Sequence, residues 1–267
     1  MLLSVVRRTA RDERRALAVW AVALVGLVAM YVAVYPSIKG NSSFAKVINE
    51  MPKAYRALFS VTSGADFTTA AGYLNTELLS FMGPLLVLVH TIGAGAATVA
   101  GEEDRHTLDL LLANPVSRAR VVVAKFAALA GGVAVLMMVL WAALVAEGTA
   151  AGMDVPIANS AAAAVQLGAL GMEFGALAVL VGALTGRLGV SRAVPAFVAV
   201  VTYLLNGFGQ LATWLRPLRP ASPFYAYSGH DPLRTGLWPA GTVAVVATTA
   251  VLVGAAAVAF ERRDVQV

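Results

Sequence analysis

Charged side chains with the chemistry to hold a partner are concentrated in one short stretch, GEEDRHTLDLLLANPVSR, from Gly101 to Arg118. The chain is 59% hydrophobic and only 13% charged, yet this stretch carries five charges in its first half: Glu102, Glu103, Asp104, Arg105 and Asp109. Carboxylates near the N-terminus of a helix are stabilised by the helix dipole. The pattern therefore predicts a helix that begins with acidic residues.

An apolar face runs through the same predicted helix, because three leucines recur at helical spacing: Leu108, Leu111 and Leu112. Pro115 disfavours helix at the preceding residue, so the helix is predicted over about residues 102–114. A simple connection between two membrane spans needs only a few polar residues. The basic residues that follow, Arg118, Arg120 and Lys125, are predicted to lie among the inner lipid head groups.

A second set of polar residues lies inside apolar runs: His90, Gln166, Glu173, Tyr203, Asn206 and Gln210. Gln166 and Glu173 are predicted to share one helical face, and the last three are predicted to share another. An ionisable group in hydrocarbon is costly unless it faces protein or water. These residues are candidates for a substrate path or a proton or cation site, and hydrogen bonding between helices is the alternative reading.

The residue patterns of common enzymes are missing from the chain. None of its four lysines follows a glycine, which rules out the phosphate-binding loop of nucleotide-hydrolysing proteins. The chain has no cysteine, its three histidines fall in separate regions, and it lacks the G-x-S-x-G motif of serine hydrolases. The sequence therefore predicts no catalytic site, metal site or cofactor in this chain.

Six apolar runs are long enough to cross a bilayer, which takes about 20 residues of helix. They cover about residues 16–35, 78–100, 121–146, 160–186, 193–215 and 237–260. The predicted fold class is an all-α polytopic membrane protein with six transmembrane helices, forming one domain over residues 1–267.

The distribution of basic residues predicts how the six spans are oriented. With both termini inside, 13 of the 20 lysines and arginines lie on the inner side and 7 on the outer side. Basic residues are enriched on the cytoplasmic side of membrane proteins, so both termini are predicted to be cytoplasmic. The net charge of +5 reflects this bias and does not indicate nucleic-acid binding. A composition rich in Ala, Val, Gly and Arg is typical of a bacterial protein, so a bacterial plasma membrane is expected.

Three further segments have recognisable patterns outside the spans. In residues 1–15, apolar residues fall on one side of a helix and arginines on the other, which predicts an interfacial helix. Residues 44–59 show apolar positions at helical spacing, which predicts an amphipathic helix on the outer surface. Prolines between Arg216 and Pro223 exclude one continuous helix and predict short re-entrant or interfacial pieces.

The stretch GEEDRHTLDLLLANPVSRARVVVAKF resembles the motif of the ATP-binding cassette type-2 permeases, the membrane subunits of drug and polyketide exporters. The family pattern has a Gly-Glu start, a Thr-Leu-(Asp/Glu)-Leu-Leu middle and a Pro-Val-Ser-Arg end. The matching residues are Gly101, Glu102, Thr107, Leu108, Asp109, Leu111, Pro115, Ser117 and Arg118. SPFYAY (Ser222–Tyr227) and FERRDV (Phe260–Val265) agree further with the family.

The resemblance implies that this stretch is a coupling helix, which docks on a separate ATPase subunit that carries ATP and Mg²⁺. The implied coupling residues are Glu102, Glu103, Thr107, Leu108, Asp109, Leu111, Leu112, Pro115 and Arg118. The resemblance also implies two ATPase copies and a second permease, either another copy or a relative. A lipophilic substrate, including antibiotics, would be exported between the two permeases.

Two other interpretations remain open at the level of the sequence. One is a secondary transporter driven by protons or cations through Glu173. The other is a non-transporting membrane scaffold or sensor that is linked to a cytoplasmic partner.

Overall fold

The computed structural model describes residues 14–39, 50–52, 69–105 and 117–263, and every regular element within these ranges is a helix. The α-helices are α1 (Arg14–Ile38), α2 (Ala70–Thr98), α3 (Ala100–Asp104), α4 (Arg118–Ala150), α5 (Ile157–Thr185), α6 (Leu188–Phe208), α7 (Pro223–Ser228), α8 (Pro232–Thr235) and α9 (Pro239–Arg262). A 3₁₀ helix (Arg216–Ala221) lies between α6 and α7.

Six of these helices, α1, α2, α4, α5, α6 and α9, are long and apolar enough to cross a membrane. The predicted all-α fold with six spans is therefore confirmed. α5 lies at the centre of the bundle and packs on α2, α4, α6 and α9. Glycines allow this close approach: a Cβ atom on Gly171 would lie 2.6 Å from Val87 Cγ1 of α2. Small residues at helix contacts are typical of membrane bundles.

The ends of three helices differ from the ends of the predicted apolar runs. α2 begins at Ala70, well before residue 78, because a π-helical turn (Asn75–Met82) carries Asn75 and Thr76 into the protein interior. α4 begins at Arg118, where hydropathy alone places a loop. α6 ends at Phe208, short of residue 215, and the chain then turns at Gly209.

Short helical pieces, and no continuous helix, follow α6, as the prolines predicted. The side chain of Ser222 caps α7 by accepting from the Phe224 amide at 3.2 Å and donates to the carbonyl oxygen of Thr202 in α6 at 2.8 Å. The Tyr227 hydroxyl donates to the carbonyl oxygen of Leu79, in the π-helical turn of α2, at 2.8 Å. Burial raises the pKa of Tyr227, so the phenol keeps its proton and remains a donor. These bonds fasten α7 to α2 and α6.

Three predicted segments fall wholly or largely outside the described residues. They are the interfacial helix before Arg14, the outer amphipathic helix over residues 44–59 apart from residues 50–52, and residues 106–114 of the coupling helix.

Candidate functional site

Glu102 and Glu103 lie in α3, which follows α2 after the single residue Val99. Val99 has φ −112° and ψ −61°, and its carbonyl oxygen accepts from the amides of both glutamates at 3.1 Å. The two glutamates therefore lie in the first turn of a short helix that is separated from α2 by one residue. Asp104 and Arg105 at the end of α3 are exposed.

Glu102 is bound to Lys125, a basic residue within α4. The Lys125 ammonium donates to Glu102 Oε1 at 2.6 Å and to the carbonyl oxygen of Thr98 at 2.9 Å. Lys125 is only 4% exposed, so its predicted place among the lipid head groups is wrong. It lies seven residues into α4, or about 10 Å along the helix axis, where a carboxylate and a helix-terminal carbonyl replace water around its charge.

Glu103 is bound to Arg263, which directly follows α9. The Arg263 guanidinium also donates to two carbonyl oxygens in the last turn of α5, at 3.2 Å from Gly182 and 3.0 Å from Ala183. Arg118, at the start of α4, donates to the Arg263 carbonyl oxygen at 2.5 Å. The two described flanks of the motif, at Glu103 and Arg118, therefore converge on one residue.

The remaining predicted coupling residues lie outside the described residues: Thr107, Leu108, Asp109, Leu111, Leu112 and Pro115. Their roles stay predictions from the sequence.

Three residues of the predicted substrate path are deeply buried. His90 lies on α2 with its ring 5.5 Å from the ring of Trp20 in α1, whereas Gln166 and Glu173 both lie on α5. His90 Nε2, Gln166 Oε1 and Glu173 Oε2 are buried without a hydrogen-bond partner among the described residues. Buried polar atoms are nearly always paired, so each of these three atoms requires a specific explanation.

The other three residues of that set are placed near the opposite end of the bundle from the ion pairs. Tyr203 packs its ring 5.2 Å from that of Phe224. Asn206 accepts from Arg219 Nε, at 3.2 Å to its side chain and 3.1 Å to its carbonyl oxygen. Gln210 is exposed beyond the end of α6 and does not share a helical face with the other two. Asn206 thus holds the segment after α6 in place.

A cavity of about 960 Å³ opens near the ends of α1, α2, α5 and α8. Its described lining includes groups of both charges, on Lys39, Asp154, Asp231 and Arg234. Asp231 has a left-handed backbone (φ 48°), and burial raises the pKa of its carboxyl. The sequence did not predict this cavity, because its lining comes from several distant parts of the chain.

Comparison with known proteins identifies the family of the chain. The sequence profile described as "ABC-2 family transporter protein" matches residues 3–265. A search of the curated proteins finds no significant match. The family match covers nearly the whole chain, including the GEED stretch, all six spans and Arg263. The chain therefore belongs to the ABC-2 transporter family, as a membrane permease that pairs with an ATP-binding cassette subunit and is not itself the ATPase.

Proposed function

We propose that this permease belongs to an ATP-driven exporter that moves a lipophilic substrate, antibiotics included, out of the cell. Export is coupled through Gly101–Arg118 to a separate ATPase that binds ATP and Mg²⁺. The observation that carries the proposal is the family match over residues 3–265. The pathway for substrate and the site of ATP hydrolysis thus belong to different polypeptides.

The geometry of the motif supports a docking role for this stretch. Its described flanks meet at Arg263, and the ends of α2, α4, α5 and α9 lie at the same place. A partner that moves the stretch would therefore act on four helices at once.

We infer that two permeases and two ATPase copies form the working complex. Only 17% of the apolar part of α6 is buried within the single chain, and the helix exposes Phe197, Val200 and Val201. An apolar face of this kind suits contact with a second permease or with lipid.

The proposal is tested by transport into inverted membrane vesicles that contain the permease with or without its co-purifying ATPase. We expect uptake of a lipophilic dye or antibiotic to require ATP, Mg²⁺ and the ATPase. Uptake driven by a proton or sodium gradient without the ATPase would favour a secondary transporter. Absence of uptake under every condition would favour the scaffold interpretation.

The proposed topology, with both termini cytoplasmic in a bacterial plasma membrane, predicts opposite labelling of the connection between α4 and α5 and of the last residue of α5. The chain has no cysteine, so single cysteines can be introduced at Ala151 and Thr185, which are both exposed. We expect a membrane-impermeant maleimide to label the cysteine at Ala151 in intact cells and to leave the one at Thr185 unlabelled until the cells are opened. The same contrast is expected between Ser43 and Asn114, outside the described residues. Reversed labelling contradicts the topology.

A proton- or cation-coupled transporter is the second candidate, and Glu173 is the observation that favours it. Its carboxylate lies within α5, 9% exposed, and Oε2 has no hydrogen-bond partner among the described residues. An ionisable residue inside a span is a functional candidate because its burial is costly.

Glu173→Gln is expected to reduce transport if this carboxylate binds a cation or lines the route, because the amide keeps the shape but cannot ionise. The measurement is vesicle transport, together with thermal unfolding in detergent and retention of the ATPase. Glu173→Asp serves as the matched control, since it keeps an ionisable carboxyl group at the same position. Unchanged transport by Glu173→Gln, or loss of assembly, would favour a structural role.

A further inference from the structure

Each motif glutamate is bound to a basic residue that also caps the end of another helix. Lys125 of α4 donates to Glu102 and to the carbonyl oxygen of Thr98 at the end of α2. Arg263, after α9, pairs with Glu103 and donates to carbonyl oxygens in the last turn of α5. Carbonyl groups in the last turn of a helix have spare capacity to accept hydrogen bonds and attract cations. The same arrangement therefore occurs twice, at the ends of α2 and α5.

Both pairs are turned toward the interior of the permease. The side chains of Lys125 and Glu102 are 5% and 23% exposed, and those of Arg263 and Glu103 are 18% and 28% exposed. Asp104, the next acidic residue, is exposed and remains available to a partner. A charge taken out of water needs its counter-charge, because removal of either member leaves the other uncompensated. The glutamates are therefore committed to partners within their own chain.

We propose that the ion pairs Glu102–Lys125 and Glu103–Arg263 transmit movement of the coupling stretch to α2, α4, α5 and α9. Each of these ion pairs is called a joint below. This inference rests on the proposed function, because it takes an ATPase to drive that stretch. The glutamates then act within the permease and do not contact the ATPase. Lys125 and Arg263 are positioning residues, which the sequence alone had assigned to orientation in the membrane.

The direct test is a double-mutant cycle with Glu102→Gln and Lys125→Met, in the full permease–ATPase complex. The readouts are ATPase retention on purification and substrate transported per ATP hydrolysed. We expect each single variant to retain the ATPase and to lower transport per ATP about tenfold, with the double variant no worse than the worse single variant. The effects combine in this way because one joint is lost in all three proteins.

Asp104→Asn provides the matched control for the cycle. Its side chain is exposed and one to two residues from the paired glutamates. When Asp104→Asn is combined with Lys125→Met, transport per ATP should change by the product of the two single-variant factors. If transport per ATP in the Glu102→Gln/Lys125→Met double variant also falls by the product of the two single-variant factors, the two residues do not act as a unit. The inference is then overturned.

A second measurement distinguishes transmission of movement from support of the fold. An environment-sensitive fluorophore is attached to a cysteine at Thr185, the exposed last residue of α5. ATP binding by the partner should change its emission in the otherwise unaltered complex, and Glu103→Gln should abolish that response. A pair that only supports the fold would leave the response intact and lower the unfolding temperature, which overturns the inference.

The same experiments separate failure of the inference from failure of the proposed function. If the unaltered permease retains no ATPase, both are wrong. If it retains the ATPase but Glu102→Gln and Glu103→Gln release it, the glutamates contact the ATPase directly. In that case the exporter assignment is retained, and the inference that the two ion pairs transmit movement within the permease is wrong.

Discussion

Leu111→Asp is expected to release the ATPase from the permease and to abolish ATP-driven transport, with the six spans still assembled. Leu111 shares one face of the predicted coupling helix with Leu108 and Leu112, in a segment outside the described residues. Full burial of a leucine contributes about 1.5–3 kcal/mol, and an unpaired carboxylate buried in its place adds a further penalty. A loss of at least about 100-fold in affinity follows, since each 1.4 kcal/mol is a factor of ten.

Co-purification of the ATPase and substrate-stimulated ATP hydrolysis measure this effect. Leu111→Met is the control, because it conserves volume and apolar character and should bind as the unaltered chain does. Thermal unfolding of the isolated permease should not distinguish the two variants. If Leu111→Asp retains the ATPase and transports normally, the stretch is only a connecting loop and the docking model is wrong.

The six spans were predictable because burial in hydrocarbon selects apolar residues along the whole length of a helix. Helix ends were less predictable, since hydropathy does not register polar residues that the protein itself buries. Asn75 and Thr76 illustrate this point: they precede the apolar run of α2, yet the π-helical turn carries them into the interior. At Gly209 the opposite occurs, and the chain turns although the apolar run continues.

The motif itself was predictable, but the partners of its glutamates were not. Glu102 and Lys125 are 23 residues apart in the chain, and Glu103 and Arg263 are 160 apart. The order of charged residues in the sequence predicts neither pairing, because neighbouring residues do not specify a contact between distant helices of the bundle. One signal was present for Lys125: it lies within the run predicted as a span, residues 121–146, where an unpaired ammonium would be costly. Arg263 carried no such signal, because basic residues after a last span also serve orientation.

Gly186 is the residue that makes room for the Glu103–Arg263 pair. It ends α5 in the left-handed conformation (φ 64°), and its amide donates to the Gly182 carbonyl oxygen at 2.9 Å. A Cβ atom at this position would lie 2.5 Å from Glu103 Oε2 and 2.8 Å from Arg263 Nη2. Both distances are too short for a carbon atom, so any side chain here must push the two charged groups away.

Gly186→Ala is therefore expected to break the pair without removing either charge. The left-handed backbone alone costs a residue with a Cβ about 1–2 kcal/mol, and displacement of Glu103 and Arg263 adds to that cost. We expect a lower unfolding temperature, an unchanged amount of bound ATPase and a fall of about tenfold in transport per ATP hydrolysed. Gly189→Ala is the matched control, because a Cβ atom added there would have no neighbour within 4 Å. If the two variants behave alike, the Glu103–Arg263 pair is not needed for coupling.

Combining Gly186→Ala with Glu103→Ala separates the two parts of the effect. Glu103→Ala removes the carboxylate oxygen nearest to the added Cβ atom, so the clash with Glu103 disappears, while the close approach to Arg263 Nη2 and the backbone part remain. Transport per ATP in the combined variant should equal that of Glu103→Ala alone, since the joint is already absent, while its unfolding temperature should be lower. If Gly186→Ala lowers transport per ATP further in the Glu103→Ala background, the glycine acts on coupling by a route other than the Glu103–Arg263 pair.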